Sequence, residues 1–250
     1  MHIPDGFINN GIATPLLGAA VALVGIAISK VRGAFLQKVP VLKQKLATFP
    51  NINGGSEISY KTSLSEFGKE KMWRMATIGA LIFAAQMINF PIAEGTSGHL
   101  LGGALAALVL GPWEGLLIIT AVLGIQAFMF ADGGIIALGA NIINMGCIGT
   151  LGSWLIFTFI YKLTKNNKRF FLIIALVTAW LSVVLASIGA SFELALSGAQ
   201  SLTTVLPAMT TTHMLIGLGE AVITAAVLAA LLAKKQPLAI LNRNTHNNEK

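Results

Sequence analysis

The sequence predicts an all-α, polytopic membrane protein of about seven transmembrane helices, with its N-terminus outside and its C-terminus in the cytoplasm. Three observations predict this. Of 250 residues, 55% are hydrophobic and 11% are charged, whereas about a quarter of a typical soluble domain is charged, so a water-soluble fold of this size lacks the polar residues to cover itself. Several apolar runs approach or exceed the ~18 residues of a membrane helix. The seventeen Lys and Arg fall in only three segments, Lys30 to Arg74, Lys162 to Arg169 and Lys234 to Lys250. A soluble enzyme, a nucleic-acid-binding domain and a disordered chain are poor readings despite the net charge of +7. Continuous rather than alternating apolar runs argue against a β-barrel. The single cysteine, Cys147, allows no internal disulfide.

The elements follow from the charges. Basic loops stay in the cytoplasm, so each apolar stretch between two basic segments crosses an even number of times. Residues 11–29 form the first span. Residues 75–161 hold four, at about 75–92, 96–111, 113–131 and 134–161, the second of these being short and rich in glycine. Residues 170–233 hold two more, at about 170–190 and 213–233. Residues 1–233 thus make one transmembrane domain with a basic cytoplasmic loop over about 30–74, and residues 234–250 a cytoplasmic tail. The loop carries Glu57, Glu66 and Glu70 against nine basic residues and has a flexible break at Gly54-Gly55-Ser56. It reads as a topology signal beside anionic lipid. Met1 to Asn10 lacks the positive charge of a secretory n-region. The first helix is therefore expected to be kept, with the chain beginning at Met1 outside.

On this topology the outer face has no Lys or Arg but carries Asp5, Glu94, Asp132 and Glu193. Such a mouth concentrates cations. His2, His99 and His213 fall on the same side, while His246 lies in the tail. A histidine directly after the first residue offers one metal three nitrogens: the α-amine of Met1, the amide nitrogen of His2 and its Nδ1. These close fused five- and six-membered rings in a plane, and planar nitrogen coordination suits Ni(II) or Cu(II). His99 is the candidate fourth ligand. By itself a Met-His start is a short motif that recurs by chance.

Four stretches taken together resemble one family. They are Met1-His2-Ile3-Pro4-Asp5-Gly6-Phe7, Gly95 to Gly103, Phe130 to Asn141 and His213 to Ala221. In this order they are similar to the metal-specific S components of energy-coupling-factor transporters, the CbiM/NikM family. The resemblance implies a seven-helix substrate-binding subunit of a bacterial cobalt or nickel importer in the cell membrane. It implies an ion held by Met1, His2 and His99, and Co2+ or Ni2+ as transported substrate with no permanently bound cofactor. It also implies a transmembrane coupling subunit, cytoplasmic ATPase subunits and a small accessory membrane protein as partners, with no nucleic acid. The loop over 30–74 looks expanded relative to the family. The chain has no P-loop of its own, so it cannot power transport alone.

Around such a site, Asp5, Glu94 and Asp132 are candidates to neutralise the ion or to accept the free ring N–H of His2. Ser97, Asn141 and His213 are further candidates. Asp5 and Asp132 each precede glycine and equally suit turns, and Asn141 equally suits a bond to a neighbouring helix. Gly98 and Gly102 form a Gly-x-x-x-Gly step expected on the third helix. Glu220 is an intramembrane acid with no Lys or Arg nearby in sequence, for which a structural or conformational role is expected over direct metal binding. Met87, Met129, Met145, Met209 and Met214 read as apolar filler. Two rival functions stay in view. Ser97 with His213 has the dyad logic of an intramembrane serine protease, and Glu220 suits a stand-alone cation channel or carrier.

Overall fold

The computed structural model of the protein describes residues 2–44, 56–91 and 97–241. In chain order it contains α1 (Asn10–Phe35), β1 (Leu36–Gln44), β2 (Ser56–Leu64), α2 (Glu66–Gln86), β3 (Asn89–Pro91), β4 (Ser97–His99), α3 (Gly103–Leu110), α4 (Pro112–Phe130) and α5 (Leu138–Asn141). A π-helical stretch (Ile142–Gly152), α6 (Ser153–Leu163), α7 (Phe171–Leu196) and α8 (Leu202–Ala233) follow. The fold is a helical bundle, as the sequence predicts. Local chemistry starts α1 close to where expected and α2 nine residues earlier: the Asn9 side chain accepts from Ile12 N at 3.1 Å and Ser65 Oγ from Gly68 N at 2.9 Å, each satisfying an orphan N–H of a first turn.

Among the described residues, five helical runs are long and apolar enough to cross a membrane: Asn10–Phe35, Pro112–Phe130, Leu138–Leu163, Lys168–Leu196 and Leu202–Ala233. The other two expected spans correspond to α2 and α3. The first nine residues of α2 carry Glu66, Lys69, Glu70, Lys71 and Arg74, which lowers its hydropathy. The helix α3 has eight residues, all buried inside the bundle.

Three expectations are corrected in detail. Residues 96–111 do not form one helix, because Ser97–His99 pair as a strand with Asn89–Pro91 and only Gly103–Leu110 is helical. Gly102, at φ 74°, is the left-handed residue before α3 rather than a helical one, and a Cβ there would meet Ile82 at 2.6 Å. The Gly98–Gly102 step is therefore not a helix-packing face. The segment over 30–74 is not one open loop, since its described part holds the end of α1, the antiparallel ladder β1–β2 with Leu36 opposite Leu64, and the start of α2. The Gly54-Gly55 break lies outside the described residues. The last span also starts earlier than expected, at Leu202, because Thr203, Thr204 and Thr210–Thr212 are accommodated within α8.

The bundle has the inverted surface of a protein in lipid. Val21, Phe128 and Leu215 are more than half exposed, while Thr178, Ser182, Ser187 and Ser191 of α7 are buried. Several of these hydroxyls are satisfied within the helix, Ser182 donating to Ala179 O at 2.8 Å and Ser191 to Ser187 O at 2.7 Å, as a solvent without hydrogen bonds demands. Lys71 pairs with Glu114 and the Arg74 guanidinium donates to the Pro237 carbonyl. These contacts gather residues of the first and third basic segments at one end of the bundle. The N-terminal segment, β3–β4 and residues 131–137 lie at the other.

Close backbone contact holds α1 on α5. A Cβ on Gly139 would lie 2.4 Å from Leu17 N and 2.5 Å from Leu17 Cα, and backbone cannot give way as a flexible side chain can. Gly139→Ala is expected to destabilise the protein by about 1–3 kcal/mol, the usual cost of overpacking. Thermal unfolding in detergent followed by circular dichroism checks this, and an unchanged midpoint would contradict the contact.

Candidate metal centre

The N-terminal segment is folded into the bundle mouth by a set of complementary bonds. Ile3 N donates to Asn141 Oδ1 at 2.9 Å and Asn141 Nδ2 donates back to Ile3 O at 3.2 Å. Gly134 N also donates to Ile3 O, at 2.9 Å. Asp5 accepts from Ile135 N at 3.1 Å and from Ile136 N at 2.8 Å. Asn141 and Asp5 thus act on backbone, and their work is to seat residues 2–5 against the turn before α5. The bonds differ from the alternatives weighed from sequence: Asp5 accepts from backbone some 130 residues away rather than within its own turn, and Asn141 bonds the N-terminal segment rather than a neighbouring helix.

That seating buries His2, which is 3% exposed, directly against His99, which is fully buried. The ring centroids are 4.3 Å apart with 48° between the planes. His2 Nδ1 lies 2.9 Å from Asp132 Oδ1. His99 Nδ1 lies 2.7 Å from the Leu100 carbonyl, which can only accept, so this nitrogen carries the proton and Nε2 carries the lone pair. The Nε2 atoms of His2 and His99 are buried and have no hydrogen-bond partner among the described residues. Burial above all lowers the pKa of both rings below the ordinary imidazole value, and for His99 the neighbouring His2 and His213 rings act in the same direction. The bond from His2 holds the Asp132 carboxyl below its usual range. Two buried, neutral imidazoles with free lone pairs beside a carboxylate are chemically suited to a divalent transition ion.

The other candidates are placed as follows. His213, on α8, is buried, bonds through Nδ1 to Met209 O at 2.8 Å and also has a free Nε2. Ser97 is in β4, opposite Pro91. Met1 and Glu94 lie outside the described residues. Glu193 is not an open outer acid, being 8% exposed and accepting from Asn144 Nδ2 at 2.5 Å. Among the described residues no three His, Cys, Asp or Glu side chains converge as a ready-made metal cluster.

Residues 57–238 match the family described as CbiM, cobalt uptake substrate-specific transmembrane region. The chain belongs to this family. It is 36% identical, over 94% of its own length and 66% of the other's, to a protein of Archaeoglobus fulgidus named for fused nickel transport, NikMN. It therefore spans about two thirds of that fused relative. It is 34% identical to a protein of Haloquadratum walsbyi named for metal transport, covering 99% of this chain and 97% of that one. Its fold matches a solved transition metal transporter with a TM-score of 0.75 at 27% identity, each chain covered completely. CbiM-family members are transport proteins rather than enzymes.

Two residues of this CbiM-family chain reach the site region without having been singled out as its partners. Gln86 Nε2 donates to Leu101 O at 2.6 Å. Glu220 accepts from Leu101 N at 2.8 Å and from Gly102 N at 2.7 Å. Both hold the turn between His99 and α3. Glu220 stood out in the sequence as an intramembrane acid, but nothing there pointed to a partner more than a hundred residues away.

Proposed function

We propose that this chain is the substrate-capture subunit of an ATP-driven, energy-coupling-factor importer for Co2+ or Ni2+. The observation that carries the reading is the buried His2–His99 pair, with both Nε2 atoms unpartnered. In this reading the ion takes the Met1 amine, the deprotonated His2 amide, His2 Nδ1 and His99 Nε2. The amide sits between the amine and Nδ1 in the fused chelate, so His99 occupies the place opposite the amide and adjacent to the His2 ring. Two imidazoles at right angles on one ion, each bound at 2.0–2.1 Å, have centroids about 4.5 Å apart. The observed 4.3 Å supports that arrangement.

Capture then includes one rearrangement. In the structure Nδ1 of His2 faces Asp132. A half-turn of the ring about χ2 aims Nδ1 at the ion and brings the Nε2 edge to the carboxylate side. Asp132 would then do what outer carboxylates do for metal-bound imidazoles, fixing the ring and offsetting charge.

In this reading the mouth faces outside the cell and the Lys71–Glu114 end faces the cytoplasm, as the positive-inside rule would have it. A transmembrane coupling subunit and cytoplasmic ATPases would reorient the loaded bundle there, with a small accessory membrane subunit assisting. The competing readings are weaker. The two oxygens of Glu220 are both occupied by backbone N–H groups, which does not suit a conducting site, and a Ser97–His213 dyad does not account for the His2–His99 pair.

The test is equilibrium binding of Ni2+ and Co2+ to the purified protein in detergent, with and without one glycine added before Met1. The unextended chain is expected to bind tightly and the extended one at least about 100-fold more weakly, since both the amine and the chelate geometry are lost. Equal affinities would overturn the ligand set.

A further inference from the structure

We propose that Glu220 is a positioning residue for His99, acting as its outer carboxylate through one intervening peptide group. The inference rests on the reading of His99 as a metal ligand and extends it to α8. Glu220 Oε2 accepts from the Leu101 N–H at 2.8 Å. That N–H belongs to the same peptide unit as the Leu100 carbonyl, which accepts from His99 Nδ1 at 2.7 Å. A single line of hydrogen bonds therefore runs from the carboxylate, through the Leu100–Leu101 peptide, to the ring nitrogen opposite the free Nε2.

Each link of such a line polarises the next. A carboxylate on the peptide N–H makes its carbonyl a better acceptor. The better acceptor holds the Nδ1 proton, fixes the tautomer and raises the basicity of Nε2. Metal-bound histidines ordinarily obtain this from a carboxylate or carbonyl in direct contact. Here the acid stands one amide away.

The surroundings make Glu220 specific to this task. It is 2% exposed, and its second oxygen accepts from Gly102 N at 2.7 Å. No Lys or Arg pairs with it among the described residues. Gln86 closes the opposite side of the turn by donating to Leu101 O at 2.6 Å. The turn that carries His99 is thus held by α2 and α8 at once.

The test compares wild type, Glu220→Gln and His99→Ala in lipid nanodiscs, with Ni2+ as probe and 15N-labelled histidine rings for NMR. The glutamine keeps the shape but has one acceptor oxygen for two N–H donors and no charge. Expected is binding ~10–100-fold weaker than wild type, the range for outer-shell changes. A shift of the His99 ring nitrogens in the metal-free protein, with thermal unfolding close to wild type, is expected beside it. A merely structural wedge would leave those ring shifts in place. Wild-type affinity and unshifted His99 nitrogens in Glu220→Gln, with binding abolished in His99→Ala, would overturn this inference while leaving the metal site standing. Undiminished binding in His99→Ala would instead overturn the site reading beneath it. If Glu220→Gln does not fold, the wild-type spectrum decides: the Nδ1–H tautomer of His99 supports the line of bonds, and the Nε2–H tautomer overturns it.

Discussion

His99→Ala is expected to lower the affinity for Ni2+ or Co2+ by more than about 100-fold, beyond the 10–100-fold that outer-shell substitutions cost. The bundle should survive the change. His99 sits in a short strand ahead of α3, and its backbone neighbours are held independently by Glu220 and Gln86. What disappears is a buried neutral ring whose Nε2 has no hydrogen-bond partner among the described residues. His213→Ala makes the informative comparison. Its ring is also buried with a free Nε2, but it hangs from the Met209 carbonyl on α8 and is no part of the proposed ligand set. Isothermal titration of both variants should show a large loss for His99 and a smaller one for His213. The reverse order would move the site toward α8.

Acid is expected to weaken capture steeply, by roughly a hundredfold for each pH unit below about 7.7, where a free α-amine begins to protonate. Both the amine and the His2 amide must give up a proton to bind, and each proton costs tenfold per pH unit by mass action. The imidazoles add nothing to this slope at first. Burial holds His2 and His99 below the ordinary value of 6.5, so they remain neutral where an exposed ring would already be charged. Binding titrations between pH 8 and pH 5 check the slope, and a flat profile would exclude amide and amine ligation.

Fold stability should respond in the same direction, for a different reason. Where the folded pKa of a histidine lies below its unfolded value, the unfolded chain takes up protons first. The stability of the metal-free protein is then complete above pH 6.5 and declines below it, until the folded pKa is passed. Asp132 enters later. Its lowered carboxyl pKa contributes stability above about 3.8, lost as the pH falls through its folded value.

How far the sequence could be read depended on the range of the interactions. Long apolar runs and the clustering of Lys and Arg are properties of contiguous segments, and they located the membrane helices to within several residues except at α2, α3 and the start of α8. The pairing of His2 with His99 was legible because an N-terminal chelate needs one more nitrogen and the outer face has few. The strand carrying His99 was not, since three residues opposite three others leave no periodicity to detect and the glycines around them looked like a helix-packing step. The contacts of Asn141, Gln86 and Glu220 with backbone amides of distant segments leave no trace in local composition. Glu193 illustrates the converse: its place in the chain suggested an open acid, and only the packing of α7 brings it against Asn144.

Rewinding of the π-helical stretch between α5 and α6 would move the mouth of the bundle. Wide π turns are usually confined to a single turn and tend to occur at functional positions, whereas here they run for eleven residues. Tightening such a coil to α geometry would rotate everything on its far side about the helix axis. Asn141, which grips the N-terminal segment, stands at one edge of this coil, and Asn144, which grips α7, stands inside it. Any rewinding would change the angle between those two grips, so the clasp around an incoming ion and the helix pair beyond it would turn as parts of one screw.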